Sequence, residues 1–425
     1  MANNNKAAGV TRPTDRRRFL QQMLVGGIAL GATSQASAAL LKGKLLNACG
    51  ATLPQHLAEH PIVIAAWSGI DPERFWDCHA HIAGTGDSGN GIYTSPDMRS
   101  LWHPFQYAQY EFYLNAGCTK DGEVDQSYVE RMRHLVDELK PGCKLMLFAF
   151  EQAYDEVGKA MPERTAFHVP NAVALDLVRR YPRYFEWVCS IHPYRLDAVA
   201  ALEAAVSDGA LAVKWLPSAM GIDPASPKCD AFYRALAGLD VPLICHAGEE
   251  KAVHGAGFAE ANNPLKLRRA LDAGVRVVMA HCASMGEDVD LDKGARGPRV
   301  PNFELFARLM AETRYRQHLF ADISAITLRN RSPEVLRAII EHDDWHDRLL
   351  NGTDYPLPGV LPLTSPRQWV RAGLLDSAAV PVLNELQNYN PLLFDFVLKR
   401  QLRAGNNRLS VNIFHTRDFF LRSTT

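Results

Sequence analysis

The sequence lacks the charge imbalance that is typical of nucleic-acid-binding proteins. Its 425 residues include 46 basic and 47 acidic side chains, for a formal net charge of −1. There is no basic stripe interleaved with aromatic residues, no internal repeat and no low-complexity tract. With 47% apolar residues, the chain has the composition of an ordinary soluble globular protein. Its length suits one large barrel or two to three smaller domains.

The sequence also lacks the motifs of several other kinds of catalytic or cofactor-binding site. No serine lies in a nucleophile elbow, and no Cys-x-x-Cys pair is present. The glycines of residues 84–91 lead into Tyr-Thr-Ser-Pro at 93–96 and not into a helix. A phosphate-binding loop needs that helix, so a dinucleotide site is not indicated.

No apolar run of the sequence is long enough to span a bilayer stably. The nearest, residues 23–33, follows twin arginines at 16–17 and precedes Ala-Ser-Ala at 36–38. This order resembles a twin-arginine export signal. We therefore expect residues 1–38 to be removed, leaving a mature periplasmic chain of residues 39–425 without stable membrane anchoring. The alternative is a disordered basic tail followed by a helix.

Cysteine is moderately used, with eight residues. Four of them lie within apolar strand-like runs and are expected to be small buried core residues: Cys78, Cys189, Cys245 and Cys282. The other four could form disulfides in an oxidising compartment, although the sequence does not pair them: Cys49, Cys118, Cys143 and Cys229.

Short apolar runs alternate with amphipathic helical patterns from residue 75 onward. The runs are 75–82, 144–151, 185–193, 211–217, 241–249, 275–283, 319–326 and 349–356. Near-continuous apolar runs are typical of parallel strands buried on both faces. Eight such runs with helices between them predict a (β/α)8 TIM barrel with its core at about 75–356, preceded by an N-terminal extension. A doubly wound sheet is the alternative fold.

Connections from strand to helix are long, whereas those from helix to strand are short. The long ones would emerge together at the C-terminal mouth, where barrel enzymes keep their active sites. Residues 83–124 are the longest and are rich in aromatic side chains. We interpret them as a lid or a partner surface over that mouth.

The first run carries Asp77, His79 and His81 at alternate positions. Side chains alternate along a strand, so these three should share one face while Cys78 and Ala80 pack outward under the helices. Two imidazoles on one rigid strand can bind a metal ion as a pair. Alone, the pattern fits two ordinary half-buried histidines better than a metal pair, because short motifs match by chance.

Later strands add polar residues at their ends. Lys214 lies in the fourth run, His246 and His281 in the fifth and sixth, and Asp354 in the eighth. Together with His79 this set would meet around one barrel mouth, and three imidazoles with a carboxylate suit Zn²⁺ or a similar divalent ion.

This ordered set resembles the amidohydrolase superfamily, and its context resembles the amidohydrolase-related group that includes aminocarboxymuconate-semialdehyde decarboxylase. The likeness is carried by Trp-Asp-Cys-His-Ala-His at 76–81, Leu-Ile-Cys-His-Ala-Gly at 243–248 and Asn-Gly-Thr-Asp-Tyr-Pro at 351–356. The resemblance implies one metal ion, most simply Zn²⁺, held by His79, His81, His246 and Asp354.

The resemblance also implies roles for the remaining residues. Asp354 would accept the proton of a metal-activated water, and His281 would polarise the substrate carbonyl or steady that water. Lys214 would bridge two ions if carboxylated, or face the pocket without bridging.

Further substrate contacts are open. His192 and Arg195, after the third strand, could bind a substrate carboxylate or cap a helix, and Arg329 after the seventh strand is a similar candidate. Glu249 and Glu250 could orient a ligand or be solvated.

We expect an exported metal-dependent hydrolase that acts on an amide, ester or lactone of a small-molecule substrate, with no nucleic-acid partner and with a homodimer left open. The alternatives are a non-oxidative metal-dependent decarboxylase and an inactive barrel that serves as a binding protein.

Overall fold

The computed structural model describes residues 45–253 and 257–421. The proposed export signal at residues 1–38 lies outside these residues. Among the helices of the described ranges, none combines the length and the apolar character that a membrane crossing needs.

Eight parallel strands form the barrel in chain order. They are β1 Trp76–His81, β2 Lys144–Phe148, β3 Phe185–Val188, β4 Val213–Trp215, β5 Leu243–Cys245, β6 Val277–Met279, β7 Leu319–Asp322 and β8 Leu349–Leu350. Neighbours pair within β1–β3 and within β4–β8. A bridge from Cys189 to Val213 joins β3 to β4, and one from Ala80 to Tyr355 closes β8 onto β1. The predicted (β/α)8 barrel is confirmed.

Helices follow the strands on the outside of the barrel. In chain order, α1 to α15 are Gln55–Ala58, Pro61–Ala66, Pro104–Ala116, Val124–Asp137, Asn171–Arg180, Ala198–Ser207, Pro217–Met220, Asp230–Gly238, Arg268–Asp272, Asn302–Ala311, Pro333–Glu341, Pro366–Arg371, Val380–Tyr389, Pro391–Gln401 and Arg417–Phe420. Two short antiparallel pairs decorate the loops, Tyr93–Thr94 with Phe167–His168 and Glu287–Val289 with Arg299–Pro301.

Helix α11 is an example of how the sequence determines where a helix begins and which of its faces is buried. Its N-cap is Ser332, whose hydroxyl accepts hydrogen bonds from the backbone N–H groups of Glu334 and Val335. Pro333 occupies the first helical position, where its missing N–H costs nothing. The buried face carries Leu336, Ile339 and Ile340, spaced for one side of a helix.

The barrel interior is closed below the mouth by an apolar cluster. It comprises Trp76, Cys78, Met146, Phe148, Val188, Ala212, Ile244, Val278, Leu350 and Phe420. The prediction that Cys78 packs outward is therefore wrong, whereas Ala80 does join the outer core. The pairing register of β1 with β2 shifts between Asp77 and Ala80, and such an irregularity breaks strict alternation.

The long loop after β1 forms a lid that contains α3. From this helix Gln109 donates hydrogen bonds to the carbonyl oxygens of Lys251 (2.8 Å) and Ala252 (3.2 Å), in the loop after β5. Strands β1 and β5 lie on opposite sides of an eight-stranded barrel, so the helix crosses the mouth. A disulfide between Cys49 and Cys118 ties the end of this lid to the N-terminal extension.

The remaining six cysteines are free and buried, as expected for the four in the strand runs. We predict that the unfolded, unreduced protein titrates six thiols and that reduction raises this number to eight. A Cys118→Ser substitution should lower the free energy of unfolding by about 2–4 kcal/mol, because the cross-link restricts the unfolded chain. Thiol titration and urea unfolding check both expectations, and eight thiols before reduction would contradict the pairing.

Candidate metal centre

The polar residues expected at the strand ends meet at the mouth of the barrel. His79 and His81 end β1, Lys214 lies in β4, and His246 follows β5 directly. The imidazoles of His79 and His246 are buried, and only that of His81 is partly open, with 26% of its side chain exposed. The open side identifies the direction from which a ligand would enter.

Asp354 lies between the histidines. Its Oδ1 is 3.1 Å from Nε2 of His81 and 3.5 Å from Nε2 of His79, and its Oδ2 is 3.8 Å from Nε2 of His281. One donor atom each from His79, His281 and Asp354 lie within 4.8 Å of one another. His281, expected to act on the substrate, thus also lies within 4 Å of this carboxylate, although farther from it than His81 and His79.

A buried carboxylate that the sequence reasoning missed holds two of these histidines. Asp322 ends β7, and its Oδ2 accepts a hydrogen bond from Nδ1 of His79 at 2.9 Å. Its Oδ1 accepts the backbone N–H groups of His281 and Ser324, each at 3.0 Å, and the Ser324 hydroxyl. Burial alone would raise the pKa of Asp322, but His79 and these donors lower it.

The imidazoles of His79, His281 and His246 each contact a neighbouring side chain through Nδ1. Nδ1 of His281 lies 2.7 Å from the Ser324 hydroxyl oxygen, and Nδ1 of His246 lies 3.4 Å from a carboxylate oxygen of Glu250. The hydroxyl of Ser324 donates to Asp322, so it accepts from His281. This network assigns the proton to Nδ1 and leaves each Nε2 with a lone pair, although that of His79 also lies 3.3 Å from Nζ of Lys214. Nε2 of His246 is buried and has no hydrogen-bond partner within the described ranges.

Burial keeps these imidazoles neutral. It lowers the pKa of His246 to about 4 and lowers the pKa values of His79 and His281. A metal ion binds the neutral ring through an unprotonated nitrogen. Free Nε2 lone pairs, an orphaned buried nitrogen and an adjacent carboxylate therefore fit a divalent ion, and a carboxylate behind a ligating histidine is the usual support of such sites.

The backbone around the cluster adopts conformations that side chains rarely favour. His281 and Cys282 have φ values of 57° and 51°, and Asp354 has φ of 63°. Strained residues of this kind concentrate at functional sites. Gly352 is required here for space, because a Cβ at this position would lie 2.6 Å from Cβ of His79.

Lys214 faces the same cluster. Its Nζ lies 3.3 Å from Nε2 of His79 and 4.9 Å from the ring centre of Phe148. Its side chain is buried, and burial lowers its pKa. The structure therefore places the lysine beside the site, and its carboxylation stays a prediction.

Tyr113 of α3 joins the lid to the loop after β5, where its hydroxyl lies 3.4 Å from the carbonyl oxygen of Ala252. Burial, with contributions from the carboxylates of Glu250 and Asp354, raises the pKa of its hydroxyl. That hydroxyl also accepts a hydrogen bond from Gln109 at 2.6 Å. Tyr113 belongs to the aromatic loop that predicted a lid, although no spacing singled it out.

The proposed substrate-binding residues make their contacts elsewhere. Both ring nitrogens of His192 meet backbone partners, the oxygen of Met220 and the N–H of Tyr194, and burial lowers its pKa to about 3. Arg195 lines a cavity of about 520 Å³ and is paired with two carboxylates there, those of Glu151 and Asp197.

Arg329 is exposed, and its backbone N–H donates to Leu363 at 2.8 Å. Within the described residues none of the hydrogen bonds or ion pairs of His192, Arg195 or Arg329 involves the histidine cluster. A substrate-binding role for these three stays a prediction.

A family model described as amidohydrolase matches residues 76–381, which include every residue of this cluster. The chain belongs to the amidohydrolase family. No curated protein matches the sequence.

Solved structures match the chain at low sequence identity and with TM-scores below 0.5. An uncharacterised TIM-barrel protein from Bordetella bronchiseptica is 16% identical over 76% of this chain and 99% of its own, with a TM-score of 0.46. A probable 2-pyrone-4,6-dicarboxylic acid hydrolase from Acinetobacter baumannii is 15% identical over 76% and 99%, with a TM-score of 0.41. The 5-carboxyvanillate decarboxylase of Sphingomonas paucimobilis is 12% identical over 74% and 98%, with a TM-score of 0.42.

We predict that Asp322→Asn weakens divalent-metal affinity by roughly 10–100-fold, because the amide removes a charged acceptor from His79. Metal titration monitored by calorimetry checks this value. The exposed Asp343→Asn is the matched control and should bind metal like the wild type. Equal affinities for the two variants would show that Asp322 does not support a ligand.

We also predict that His246→Ala lowers the metal retained after gel filtration to well below one equivalent per chain, because it removes the orphaned Nε2. His281→Ala serves as the comparison. If only His281→Ala loses the metal, the first set of ligands is His79, His281 and Asp354, and His246 is a neighbour of it.

Proposed function

We propose that this amidohydrolase-family protein is a metal-dependent hydrolase that attacks an amide, ester or lactone carbonyl. The observation that carries the proposal is the cluster of imidazoles whose Nε2 atoms lie 3.1 to 3.8 Å from the carboxylate oxygens of Asp354. His79, His81, His246 and Asp354 would hold the ion, and His281 would remain available to the substrate or the attacking water.

A divalent ion held by these residues would supply Lewis-acid chemistry, lowering the pKa of water towards ~7. The chain provides the rest. Although burial opposes ionisation, the neighbouring imidazoles of His79 and His281 lower the pKa of Asp354, so its carboxylate is charged at neutral pH. It can accept the proton of the attacking water and return it to the leaving group.

The hydrogen-bond network narrows the role of His281. Because Nδ1 donates to the Ser324 hydroxyl, Nε2 carries a lone pair and cannot polarise a carbonyl by donation in the neutral ring. This favours the role in which His281 steadies the water by accepting its proton in a hydrogen bond. The ring of Phe148 packs against the rings of His79 and His81, with centroids 4.7 and 5.4 Å apart, and so gives this part of the site an apolar wall.

Non-oxidative decarboxylation is the second candidate. It is favoured by a buried guanidinium, that of Arg331, whose charge acts on Asp354 and His246. An inactive barrel that serves as a binding protein is less well supported. Asp322, Ser324 and Glu250 orient the rings of His79, His281 and His246, and a binding protein without a metal site would not need this orientation.

Export to the periplasm is proposed on the basis of the twin-arginine pattern. The disulfide between Cys49 and Cys118 supports it, because such bonds persist in oxidising compartments and are rare in the cytosol.

The proposed function is tested by metal analysis of the purified protein, followed by a screen of amides, esters, lactones and carboxylic acids. One equivalent of a divalent ion and hydrolysis that stops with a chelator are expected. Carbon dioxide release from an acid would select the decarboxylase instead. Absence of stoichiometric metal would contradict both.

We predict that Asp354→Asn lowers kcat by at least about 10³-fold while the melting temperature changes by only a few degrees. The amide keeps the shape of the carboxylate but cannot accept the proton of water. Stopped-assay kinetics and thermal unfolding check the two readouts, with Asp343→Asn as the control. Substantial turnover by Asp354→Asn would assign the proton transfer to another group.

A further inference from the structure

The side chain of Gln109 joins the lid helix α3 to the loop that follows β5. Its amide nitrogen donates to the carbonyl oxygens of Lys251 at 2.8 Å and of Ala252 at 3.2 Å. The same nitrogen lies 2.6 Å from the hydroxyl oxygen of Tyr113. Two backbone carbonyl oxygens converge on this atom, and the oxygen of the amide would be repelled in its place. The contacts therefore use Gln109 specifically as a hydrogen-bond donor.

The two carbonyl groups belong to a turn that is built around the carboxylate of Glu250. One of its oxygens accepts hydrogen bonds from the backbone N–H groups of Ala252 and Val253, the latter at 3.0 Å. The other oxygen lies 3.4 Å from Nδ1 of His246, four residues earlier in the chain. Because one carboxylate contacts both the turn and the imidazole, a displacement of the turn would move Glu250 away from the ring.

The helix that carries Gln109 is held by other parts of the mouth. The hydroxyl of Tyr110 donates to the carbonyl oxygen of Gly84, in the loop after β1, at 3.3 Å. Phe112 and Ala116 form a buried apolar cluster with Val360, in the segment after β8. Since α3 is fixed to the loops after β1 and β8, its donor can restrain the turn after β5.

His246 differs from the other two supported imidazoles in how its Nδ1 partner is held. Nδ1 of His79 contacts Asp322 at 2.9 Å, and Nδ1 of His281 contacts Ser324 at 2.7 Å. Both of those partners lie at the end of β7 or two residues beyond it. Glu250 instead lies in a loop, and the lid helix donates hydrogen bonds to that loop at the two residues that follow it.

We propose that Gln109 is a positioning residue, which holds Glu250 beside Nδ1 of His246 and so couples the lid to the orientation of this imidazole. The inference rests on the proposed function, in which His246 is a metal ligand. With Glu250 in place, the ring keeps its proton on Nδ1 and presents Nε2 to the ion. Without the donor of Gln109, the turn is released from the lid and Nδ1 loses its partner.

The first test observes the His246 ring in the full-length protein after its metal has been removed with a chelator. Nuclear magnetic resonance of ¹⁵N-labelled histidine distinguishes the two neutral tautomers, and His246→Ala assigns the signals. The wild type should show the Nδ1–H form at neutral pH. Gln109→Met keeps a side chain of similar length but removes the donor, and it should shift the ratio of tautomers by at least about 3-fold towards the Nε2–H form.

The second test measures the dissociation constant of Zn²⁺ by competition with a chromogenic chelator. Gln109→Met should weaken binding by about 3–10-fold and Glu250→Ala by roughly 10–100-fold. Adding Gln109→Met to Glu250→Ala should change the dissociation constant by less than about 2-fold, because no carboxylate is left to position. A general effect of Gln109 on the stability of the lid would instead be seen in both backgrounds.

Gln109→Glu separates donation from packing. It keeps the size of the side chain but sets a negative charge against two carbonyl oxygens, so its effects should exceed those of Gln109→Met. If Gln109 served only to fill space, both variants would behave like the wild type. The matched control is Gln317→Glu, which changes an exposed residue two positions before β7 and therefore at the opposite face of the barrel. It should leave both measurements unchanged.

Circular dichroism identifies the variants that fold, and if one Gln109 variant does not fold, the other decides. An unchanged tautomer ratio in a folded Gln109 variant overturns the proposal. A Gln109→Met effect that persists in full in the Glu250→Ala background overturns it as well. Failure of the proposed function is distinguishable, because a protein that binds no divalent ion would still give the tautomer measurement, which needs neither metal nor turnover.

Discussion

The mouth of the barrel depends on one fully buried carboxylate. Asp322 has no solvent to stabilise its charge, so its two oxygens must be saturated by donors of the protein. Those donors come from β1, from the turn after β6 and from its own loop. These hydrogen bonds to Asp322 fix both the ring of His79 and the backbone of His281, and they form without any ligand.

The consequence is chemical as well as structural. A ring that donates from Nδ1 must present the lone pair of Nε2, and the lone pairs then face the Asp354 carboxylate. A second network holds that carboxylate from below. Asp77 accepts hydrogen bonds from the N–H of His79 at 3.1 Å and from the N–H of Thr353 at 2.9 Å. Lys399 donates to the carbonyl of Gly352 at 2.6 Å, so the segment after β8 is held against β1.

Most of the barrel could be predicted because its strands are apolar runs at regular intervals, and the histidines could be placed because strand ends converge at one mouth. The sequence does not single out Asp322, although it lies inside a predicted strand, because a single acidic residue carries no spacing that distinguishes a residue supporting a ligand from a helix cap. The outward prediction for Cys78 is wrong for a related reason. Its facing depends on a shift of register between two strands, and only the pairing itself reveals that shift.

The local sequence does not predict which of the two arginines after β7 is buried. Arg329 and Arg331 are the same residue type in one loop, two positions apart, and a loop has no period from which to assign a face. Arg329 is exposed and Arg331 is buried, because α12, which begins at Pro366, holds the backbone of Arg331 through a hydrogen bond. Burial of that guanidinium is thus a product of the assembled fold.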